Sequence, residues 1–311
     1  MSSITNGTLI ITGPTGGLGK ELALQVASRP ANDRPDMLLV GRSGQNLTEI
    51  TRLIREAGAN AYDIACDLSR LSDVRAATKT IQDLLASNKV RPLHAIVANA
   101  GLGSADTRKM SADGYELTFA VNYLAHAQLI NGLKDTIVAP GRIVLVGSDT
   151  YYENTFRKIL HVAPADWRDP IEIARPASAS TQPTIRASGI AYSNSKLAIL
   201  YYAHELQQHV KDGISVIVFE PGFMPGTGLS RDQAPAAQSI ARMLGRLPGV
   251  SKTATSAPMF ASVALDEKWS HLRDGDYVVK NKLTKVKPFA QNREKELRLW
   301  QATNELLEAA K

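Results

Sequence analysis

The stretch Thr12-Gly13-Pro14-Thr15-Gly16-Gly17-Leu18-Gly19 decides the fold of this chain. It follows a short apolar run at residues 8–12 and leads into a helical pattern. Glycines between a strand and a helix let the backbone approach a ligand closely, and the first amides of the helix point towards its negative charge. The spacing G-x-x-x-G-x-G therefore indicates a pyrophosphate site for a dinucleotide, with a purely structural turn as the alternative.

Short apolar runs alternate with longer helical patterns along most of the chain. Continuous apolar strands separated by helices are typical of a parallel sheet that is covered on both faces. We therefore predict an α/β fold in which residues 1–311 form a single domain, a three-layer, doubly wound parallel sheet of the Rossmann-like kind. The predicted strands are 8–12, 37–40, 61–65, 95–98, 142–146 and 214–219, and the predicted helices are 19–28, 47–57, 72–87, 114–133 and 192–210.

Two long segments depart from this rhythm. An insertion at about 149–190 holds four prolines and a centre rich in Ser, Ala and Thr at residues 177–184. A second segment at about 223–251, rich in Pro and Gly, is predicted to be a substrate lid. Loops of this length in a compact domain are usually functional. Beyond them, residues 292–310 carry apolar side chains among charged ones, which predicts an amphipathic C-terminal helix.

The composition excludes several classes of protein. With 44% hydrophobic and 21% charged residues, the chain is predicted to be globular. The net charge of +6 is spread out, and the densest basic run, 280–287, indicates a solvated loop or edge strand, so no nucleic-acid partner is expected. No apolar run is long enough for a spanning helix. The single cysteine, Cys66, excludes an intrachain disulfide or thiolate metal cluster and favours a reducing compartment, so we expect a cytoplasmic protein without a metal.

The end of the second predicted strand bears on the choice of cofactor. An acidic residue there accepts hydrogen bonds from the ribose of NAD, but this chain has Arg42 followed by Ser43. A guanidinium suits the 2′-phosphate of NADP because it forms paired, charge-assisted hydrogen bonds. We therefore expect NADP(H) rather than NAD(H).

Tyr192 and Lys196 lie four residues apart in a helical pattern. This spacing places both side chains on one face of a helix, where the ammonium favours the ionised form of the phenol. Taken alone, such a pair is more often part of a solvated face than a catalytic couple, so the rest of the chain must decide.

The ordered motifs from Thr12 to Gly222 resemble those of the short-chain dehydrogenase/reductase family. Asp67-Leu68 matches its adenine contact, Asn99-Ala100-Gly101 its N-A-G turn, and Pro221-Gly222 its nicotinamide-side motif. The family's catalytic tetrad is matched by Asn122, Ser148, Tyr192 and Lys196. The expected cofactor contacts are Gly13, Thr15, Gly17, Leu18, Gly19, Arg42, Ser43, Asp67, Leu68, Asn99, Ala100, Gly101, Tyr192, Lys196, Pro221, Gly222 and Thr227.

The resemblance implies a division of labour among the tetrad residues. A nicotinamide delivers hydride to a carbonyl carbon, and Tyr192 protonates the developing alkoxide. Lys196 is implied to lower the pKa of the tyrosine and to bind the nicotinamide ribose, and Ser148 to hold the substrate oxygen. Asn122 is implied to support the water chain that resupplies the proton.

The long insertion resembles that of monomeric carbonyl reductases and retinol-dehydrogenase-like members. The expected reaction is therefore reduction of a carbonyl, or oxidation of an alcohol, on a bulky apolar small molecule. If the insertion packs against the helix after Tyr192, it covers the usual dimer surface, so monomer and homodimer both stay open. The aromatic side chains of the insertion are expected either to line the substrate cleft or to pack the excursion. These are Tyr151, Tyr152, Phe156 and Trp167.

Two other functions stay open. The motifs are also similar to those of light-dependent protochlorophyllide reductase, which reduces a carbon–carbon double bond, but Phe223 stands where that enzyme is expected to have a cysteine. A catalytically silent NADP(H)-sensing protein would keep the glycine loop without needing the tetrad. The presence of all four tetrad residues argues against that reading.

Overall fold

The computed structural model describes residues 4–154, 157, 162–224 and 250–310. Most of the predicted lid, including Thr227, lies outside the described residues, and so does Phe156 of the insertion.

One eight-stranded sheet runs through the described part of the chain, in the order β3-β2-β1-β4-β5-β6-β7-β8. All neighbouring strands are parallel except β7 and β8, which form an antiparallel hairpin. The strands are β1 Thr8–Thr12, β2 Asp36–Gly41, β3 Ala61–Ala65, β4 Leu93–Ala98, β5 Gly141–Val146, β6 Ile214–Glu220, β7 Asp276–Val279 and β8 Lys282–Thr284. The longer helices are α1 Gly17–Ala27, α2 Gln45–Glu56, α3 Leu71–Ala86, α4 Ala125–Leu133, α5 Ile185–Gln207, α6 Thr253–Leu265 and α7 Arg293–Ala309.

Helices cover both faces of the sheet. Along β1, Ile10 joins the apolar cluster on the side of α3, α4, α5 and α7, whereas Leu9 and Ile11 join the cluster on the side of α1, α2 and α6. Alternate residues of a strand point to opposite faces, so a strand buried on both sides must be apolar throughout. The predicted three-layer, doubly wound, Rossmann-like fold is confirmed.

The chain reverses its direction of winding between β1 and β4. From β1 it continues outward to β2 and β3, and it returns to place β4 on the other side of β1. Where strand order reverses, the connections after the two central strands diverge and leave a crevice at their carboxyl ends. The glycine loop, the Asn99 turn and Ser148 all follow strands that end at this edge.

The catalytic helix begins earlier than the sequence predicts. Helix α5 starts at Ile185, seven residues before Tyr192, because the Thr184 hydroxyl accepts a hydrogen bond from the Ala187 amide at 3.1 Å. A side-chain cap of this kind satisfies an amide that the helix itself leaves unpaired. Tyr192 therefore lies inside a continuous helix rather than at its frayed end.

Other boundaries also differ from prediction. The predicted helix 114–133 starts only at Leu117, where the Glu116 carboxylate accepts hydrogen bonds from the amides of Thr118 and Phe119, and it contains a π-helical turn at Ala120–Leu124. Helix α6 and strand β7 have no counterpart in the prediction. Strand β8 lies within the basic run 280–287 and is exposed along its length.

Helix α7 occupies the C-terminal tail and packs on the outer side of the catalytic helix. The Trp300 ring stacks on Tyr202 with centroids 5.7 Å apart, and the Tyr115 hydroxyl donates to the Leu306 carbonyl at 2.6 Å. Tyr123, within the π-helical turn, hydrogen-bonds Thr303. The outer face of α5 is therefore covered largely by α7.

Candidate active site

The glycine loop forms a narrow cradle at the start of α1. Gly13 has a φ of +67°, which favours glycine, and a Cβ there would lie 3.0 Å from the Ala100 Cα. A Cβ at Gly19 would collide with the Gly13 carbonyl oxygen. Gly16 precedes the helix without a side-chain cap, so the first amides of α1 face the crevice uncapped. This arrangement fits the pyrophosphate of a dinucleotide.

Thr12 connects this loop to the next strand. Its hydroxyl oxygen accepts hydrogen bonds from the amides of Asn99 and Ala100, both at 2.9 Å. The Asn99 side chain in turn donates to the Thr12 carbonyl at 2.9 Å. The predicted Asn99-Ala100-Gly101 turn is thus held against the glycine loop.

His126 is a buried residue behind this connection that sequence reasoning missed. Its Nε2 lies 3.0 Å from the Thr12 hydroxyl, and its Nδ1 lies 3.0 Å from the Asn122 carbonyl. Because the Thr12 oxygen already accepts two amide hydrogens, its own hydrogen points to Nε2, which leaves Nδ1 to donate to Asn122. Burial lowers the pKa of His126 to about 4, so the ring is neutral. It links the cofactor loop to the tetrad.

The adenosine end of the crevice is polar and open. Arg42 and Ser43 are exposed, and Arg42 forms no ion pair or hydrogen bond with any described residue. The Asp67 carboxylate accepts hydrogen bonds from the amide and hydroxyl of Ser69, at 2.9 and 2.8 Å, while Leu68 is buried. An unpaired guanidinium beside the crevice fits a phosphate on the adenosine ribose.

Tyr192, Ser148 and Lys196 meet at the carboxyl end of β5. The Tyr192 phenol is partly buried and hydrogen-bonded to the Ser148 side chain. The Lys196 Nζ lies 5.6 Å from the centroid of the Tyr192 ring and donates to the Val146 carbonyl at 2.8 Å. The three side chains that the sequence predicts for proton transfer are therefore brought together.

The electrostatics of the pair differ from the expectation. Burial raises the pKa of Tyr192 to about 12, and the positive group that lowers it is Arg157 rather than Lys196. Burial also lowers the pKa of Lys196 to about 8, because the apolar surroundings disfavour its charged form. Arg157 belongs to the insertion, and nothing in its sequence spacing marks it as a partner of Tyr192.

The Asn122 side chain is fully engaged with protein groups. Its Nδ2 donates to the Leu102 carbonyl at 2.9 Å and to the Ser195 hydroxyl at 3.0 Å, and its Oδ1 accepts from the Leu102 amide at 2.8 Å. The side chain therefore positions the loop after β4 against the catalytic helix.

The residues between Tyr192 and Lys196 anchor the insertion. The Ser193 hydroxyl donates to the Ala163 carbonyl at 2.7 Å. The Asn194 side chain accepts from the Asp166 amide at 2.9 Å and donates to the Asp166 carbonyl at 3.1 Å. The insertion thus packs against the catalytic helix at the level of the proton donor.

Replacing Asn194 with alanine is expected to loosen this anchor and lower the free energy of unfolding by about 1–2 kcal/mol, because two hydrogen bonds are lost and the Asp166 backbone is left unpaired. Urea unfolding measures the change. Asn304→Ala, at an exposed position of α7, is the matched control and is expected to change stability much less. Equal stability of the two variants would contradict the anchoring role.

The aromatic side chains of the insertion serve packing first. Tyr151 is only 2% exposed, and its hydroxyl accepts from the Lys287 amide at 3.0 Å. The Trp167 ring meets Tyr201 of α5 edge-on, with centroids 4.9 Å apart. Tyr152 is partly buried, with the Lys287 ammonium over its ring. The sequence leaves open whether these side chains line the substrate cleft or pack the insertion. Tyr151 and Trp167 pack the insertion against the rest of the protein.

The Pro221-Gly222 turn closes the site beyond β6. Gly222 has a φ of +87°, and a Cβ there would collide with the Ser251 hydroxyl. The Pro221 carbonyl accepts from the Ser256 hydroxyl at 2.9 Å. This turn is therefore tied to the start of α6, at the base of the predicted lid.

The described residues meet the requirements of neither a metal site nor a membrane-spanning helix. Among the described residues, no group of His, Cys, Asp and Glu side chains is arranged to hold a metal ion. None of the helices in the described ranges is both long and apolar enough to cross a membrane.

A glycine loop of this kind beside a Ser-Tyr-Lys cluster is typical of nucleotide-dependent dehydrogenases and reductases. The sequence profile of the family described as short chain dehydrogenase matches residues 7–158. This match covers just under half of the chain and places residues 7–158 in the short-chain dehydrogenase family.

Two relatives illustrate the likeness. A probable oxidoreductase of Streptomyces lividans is 28% identical over 71% of this chain and 65% of its own length, so the chain spans slightly less than two thirds of that relative. Human retinol dehydrogenase 12 is 29% identical over 96% of this chain and 85% of its own length.

Solved structures share the fold. A short chain dehydrogenase from Burkholderia cenocepacia in complex with NADP has a TM-score of 0.63 at 18% identity, covering 89% of this chain and 97% of that one. A short chain dehydrogenase/reductase from Burkholderia phymatum in complex with NAD has a TM-score of 0.58 at 18% identity, covering 90% of each chain. At this level of identity the likeness concerns the fold.

Proposed function

We propose that this protein is an NADP(H)-dependent oxidoreductase that reduces a carbonyl, or oxidises an alcohol, on a bulky apolar small molecule. The observation that carries the proposal is the Tyr192 phenol, hydrogen-bonded to Ser148 and flanked by Lys196 at the crevice that holds the glycine cradle. A bound nicotinamide supplies or accepts the hydride. Tyr192 gives its proton to the substrate oxygen in reduction and takes it back in oxidation, while the Ser148 hydroxyl holds that oxygen.

Lys196 and Asn122 support this proton transfer in different ways. The Lys196 ammonium lies beside the phenol and, with its pKa lowered to about 8, is able to exchange a proton near neutral pH. Asn122 keeps the catalytic helix aligned with the loop after β4 through Ser195. The Tyr192 hydroxyl is thereby held at a fixed place in the crevice.

The chemical test is a screen of bulky and small ketones, aldehydes and quinones with NADPH consumption as the readout. Bulky apolar carbonyl compounds are expected to be turned over faster than small ones, because similar proteins include a retinol dehydrogenase and a polyprenol dehydrogenase. Reduction of a protochlorophyllide-type double bond would instead require pigment binding and illumination. Tight NADPH binding without turnover of any carbonyl would favour the sensor function.

Solved structures of similar fold contain either NADP or NAD, so the fold does not decide between the two cofactors. The proposed preference for NADP(H) therefore rests on Arg42. Arg42→Asp is expected to weaken NADPH binding by about 10- to 100-fold, because a charge-assisted pair is lost and repulsion is added. NADH binding is expected to change far less. Fluorescence titration of each cofactor gives both dissociation constants.

Arg273→Asp provides the control for the cofactor titration, because this exposed arginine lies just before β7, at the opposite edge of the sheet. It makes the same change in net charge. Equal weakening of NADPH and NADH binding by Arg42→Asp would contradict the assignment of the 2′-phosphate to Arg42.

We further propose the cytoplasm as the compartment, supported by the lone, buried thiol of Cys66. Of monomer and homodimer, the packing of α7 and the insertion on α5 favours the monomer. Light scattering on the purified protein distinguishes the two states.

A further inference from the structure

A buried arginine of the insertion lies against the loop that carries Ser148. The Arg157 side chain is only 5% exposed and forms an ion pair with Asp149, its Nε donating to a carboxylate oxygen at 2.8 Å. Asn154 completes a ring of contacts, accepting from the Arg157 amide at 2.9 Å and donating to Asp149 at 3.2 Å. Asp149 therefore holds the guanidinium, and Asn154 holds both the Asp149 carboxylate and the Arg157 backbone.

The same guanidinium reaches the base of the predicted lid. It lies over the Phe223 ring, 5.0 Å from the centroid, directly after the Pro221-Gly222 turn. Stacking of this kind is favourable when the cation is shielded from water. Arg157 thus joins the insertion, the loop after β5 and the base of the lid at one point.

A second carboxylate lies close to this pair. Glu220, at the end of β6, is 5% exposed, and it accepts hydrogen bonds from the Tyr277 hydroxyl and from the Asp149 amide. Burial raises the pKa of Glu220, and the neighbouring Asp149 raises it further, whereas Arg157 lowers it. The Arg157 guanidinium therefore pairs directly with the partly buried Asp149 and acts through its charge on the buried Glu220.

This cluster begins one residue after Ser148, the hydrogen-bond partner of the Tyr192 phenol. Asp149 and Glu220 disfavour ionisation of Tyr192, whereas Arg157 and the Ser148 hydrogen bond favour it. The charged groups around Tyr192 are Lys196 on its own helix, Arg157 in the insertion, Glu220 on β6 and Asp149 after β5. Tyr151 after β5 and Tyr277 on β7 lie near the two carboxylates.

We propose that Arg157 is a positioning residue of the reaction, forming with Asp149 and Glu220 a largely buried charge cluster, next to Ser148 in the loop after β5, that sets the acidity of the Tyr192 hydroxyl. The proposal rests on the function proposed above. It gives the insertion a part in proton transfer, because Arg157 supplies the positive charge that keeps two nearby carboxylates from suppressing ionisation of the phenol.

The sign of the effect follows from the charges. Arg157→Gln leaves both carboxylates near the phenol uncompensated, so the pKa of Tyr192 rises. Glu220→Gln removes one negative charge but keeps an acceptor for Tyr277 and leaves the Arg157–Asp149 pair in place, so the pKa of Tyr192 falls. Alcohol oxidation needs ionised Tyr192, so the rising limb of its pH profile moves to higher pH in the first variant and to lower pH in the second.

The experiment follows Tyr192 directly, without turnover. Protein labelled with ¹³C at the ζ carbon of tyrosine is titrated by NMR, and the Tyr192 signal is the one that Tyr192→Phe removes. For Glu220→Gln the midpoint is expected to fall by about one pH unit, the scale of a nearby charge. For Arg157→Gln it is expected to rise by a similar amount, and for Arg157→Lys to stay close to that of the wild type.

The outcomes separate the possible failures. If Arg157→Gln does not fold, Glu220→Gln and Arg157→Lys test the proposal instead, because both keep a positive charge at residue 157 beside Asp149. Unchanged midpoints in all the folded variants would overturn the proposal and leave Arg157 a structural role. Full turnover by Tyr192→Phe would defeat the proposed function instead, and the titration would still report whether the cluster sets the pKa.

Discussion

Replacing Tyr192 with phenylalanine is expected to lower kcat by roughly 10²- to 10⁴-fold, the contribution of a positioned general acid. The substitution removes only the hydroxyl that Ser148 holds, and the ring keeps its place beside Lys196. The glycine cradle and Arg42 are untouched, so the dissociation constant of NADPH is expected to change little. The loss of rate without a loss of cofactor binding is the signature of a proton donor.

Steady-state rates with the best substrate of the carbonyl screen, together with NADPH fluorescence titration, measure both quantities. Tyr62→Phe is the matched control, since its hydroxyl only donates to the Lys89 carbonyl on the surface. Turnover by Tyr192→Phe at the wild-type rate would rule out the proposed mechanism.

Gly19→Ala is expected to weaken NADPH binding by tenfold or more. A Cβ at this position collides with the Gly13 carbonyl and crowds the Asn99 side chain, so the cradle must open. Overpacking of this kind costs about 1–3 kcal/mol, and each 1.4 kcal/mol lost from binding is a factor of ten in affinity. Cofactor titration and urea unfolding together show how the cost divides between binding and stability.

Gly189→Ala is the control for this substitution. It lies inside α5, where the added methyl group would meet Ala163 at an ordinary contact distance of 3.4 Å. Cofactor affinity is expected to stay near that of the wild type in this variant. A Gly19→Ala protein that bound NADPH normally would show that the loop does not hold the pyrophosphate.

The fold and the central residues of the site could be predicted because they depend on local patterns. A strand buried on both faces must be apolar, as in β1, and a glycine loop between strand and helix is read directly from the letters. Tyr192 and Lys196 are close because a helix places them so. Parallel strands then bring the separate motifs to one edge of the sheet.

The charge cluster could not be predicted because its members are distant in sequence. Arg157, Glu220 and Tyr277 lie on the insertion, on β6 and on β7, and their proximity depends on tertiary packing. The start of α5 was also misplaced, because the cap of Thr184 is a single hydrogen bond that the Ser- and Thr-rich surroundings conceal. The sequence consequently predicted Tyr192 as the proton donor but not the charged groups that lie near it.

Two parts of the insertion differ in how tightly they are held to the rest of the protein. Residues 163–166 are bonded to Ser193 and Asn194, within one helical turn of the proton donor, whereas residues 178–184 are exposed. Exposed, weakly packed segments accept added or exchanged sequence most readily. For protein engineering, residues 178–184 are a natural place to graft new loops. Exchange of residues 163–166 would instead disturb the helix turn that carries Tyr192.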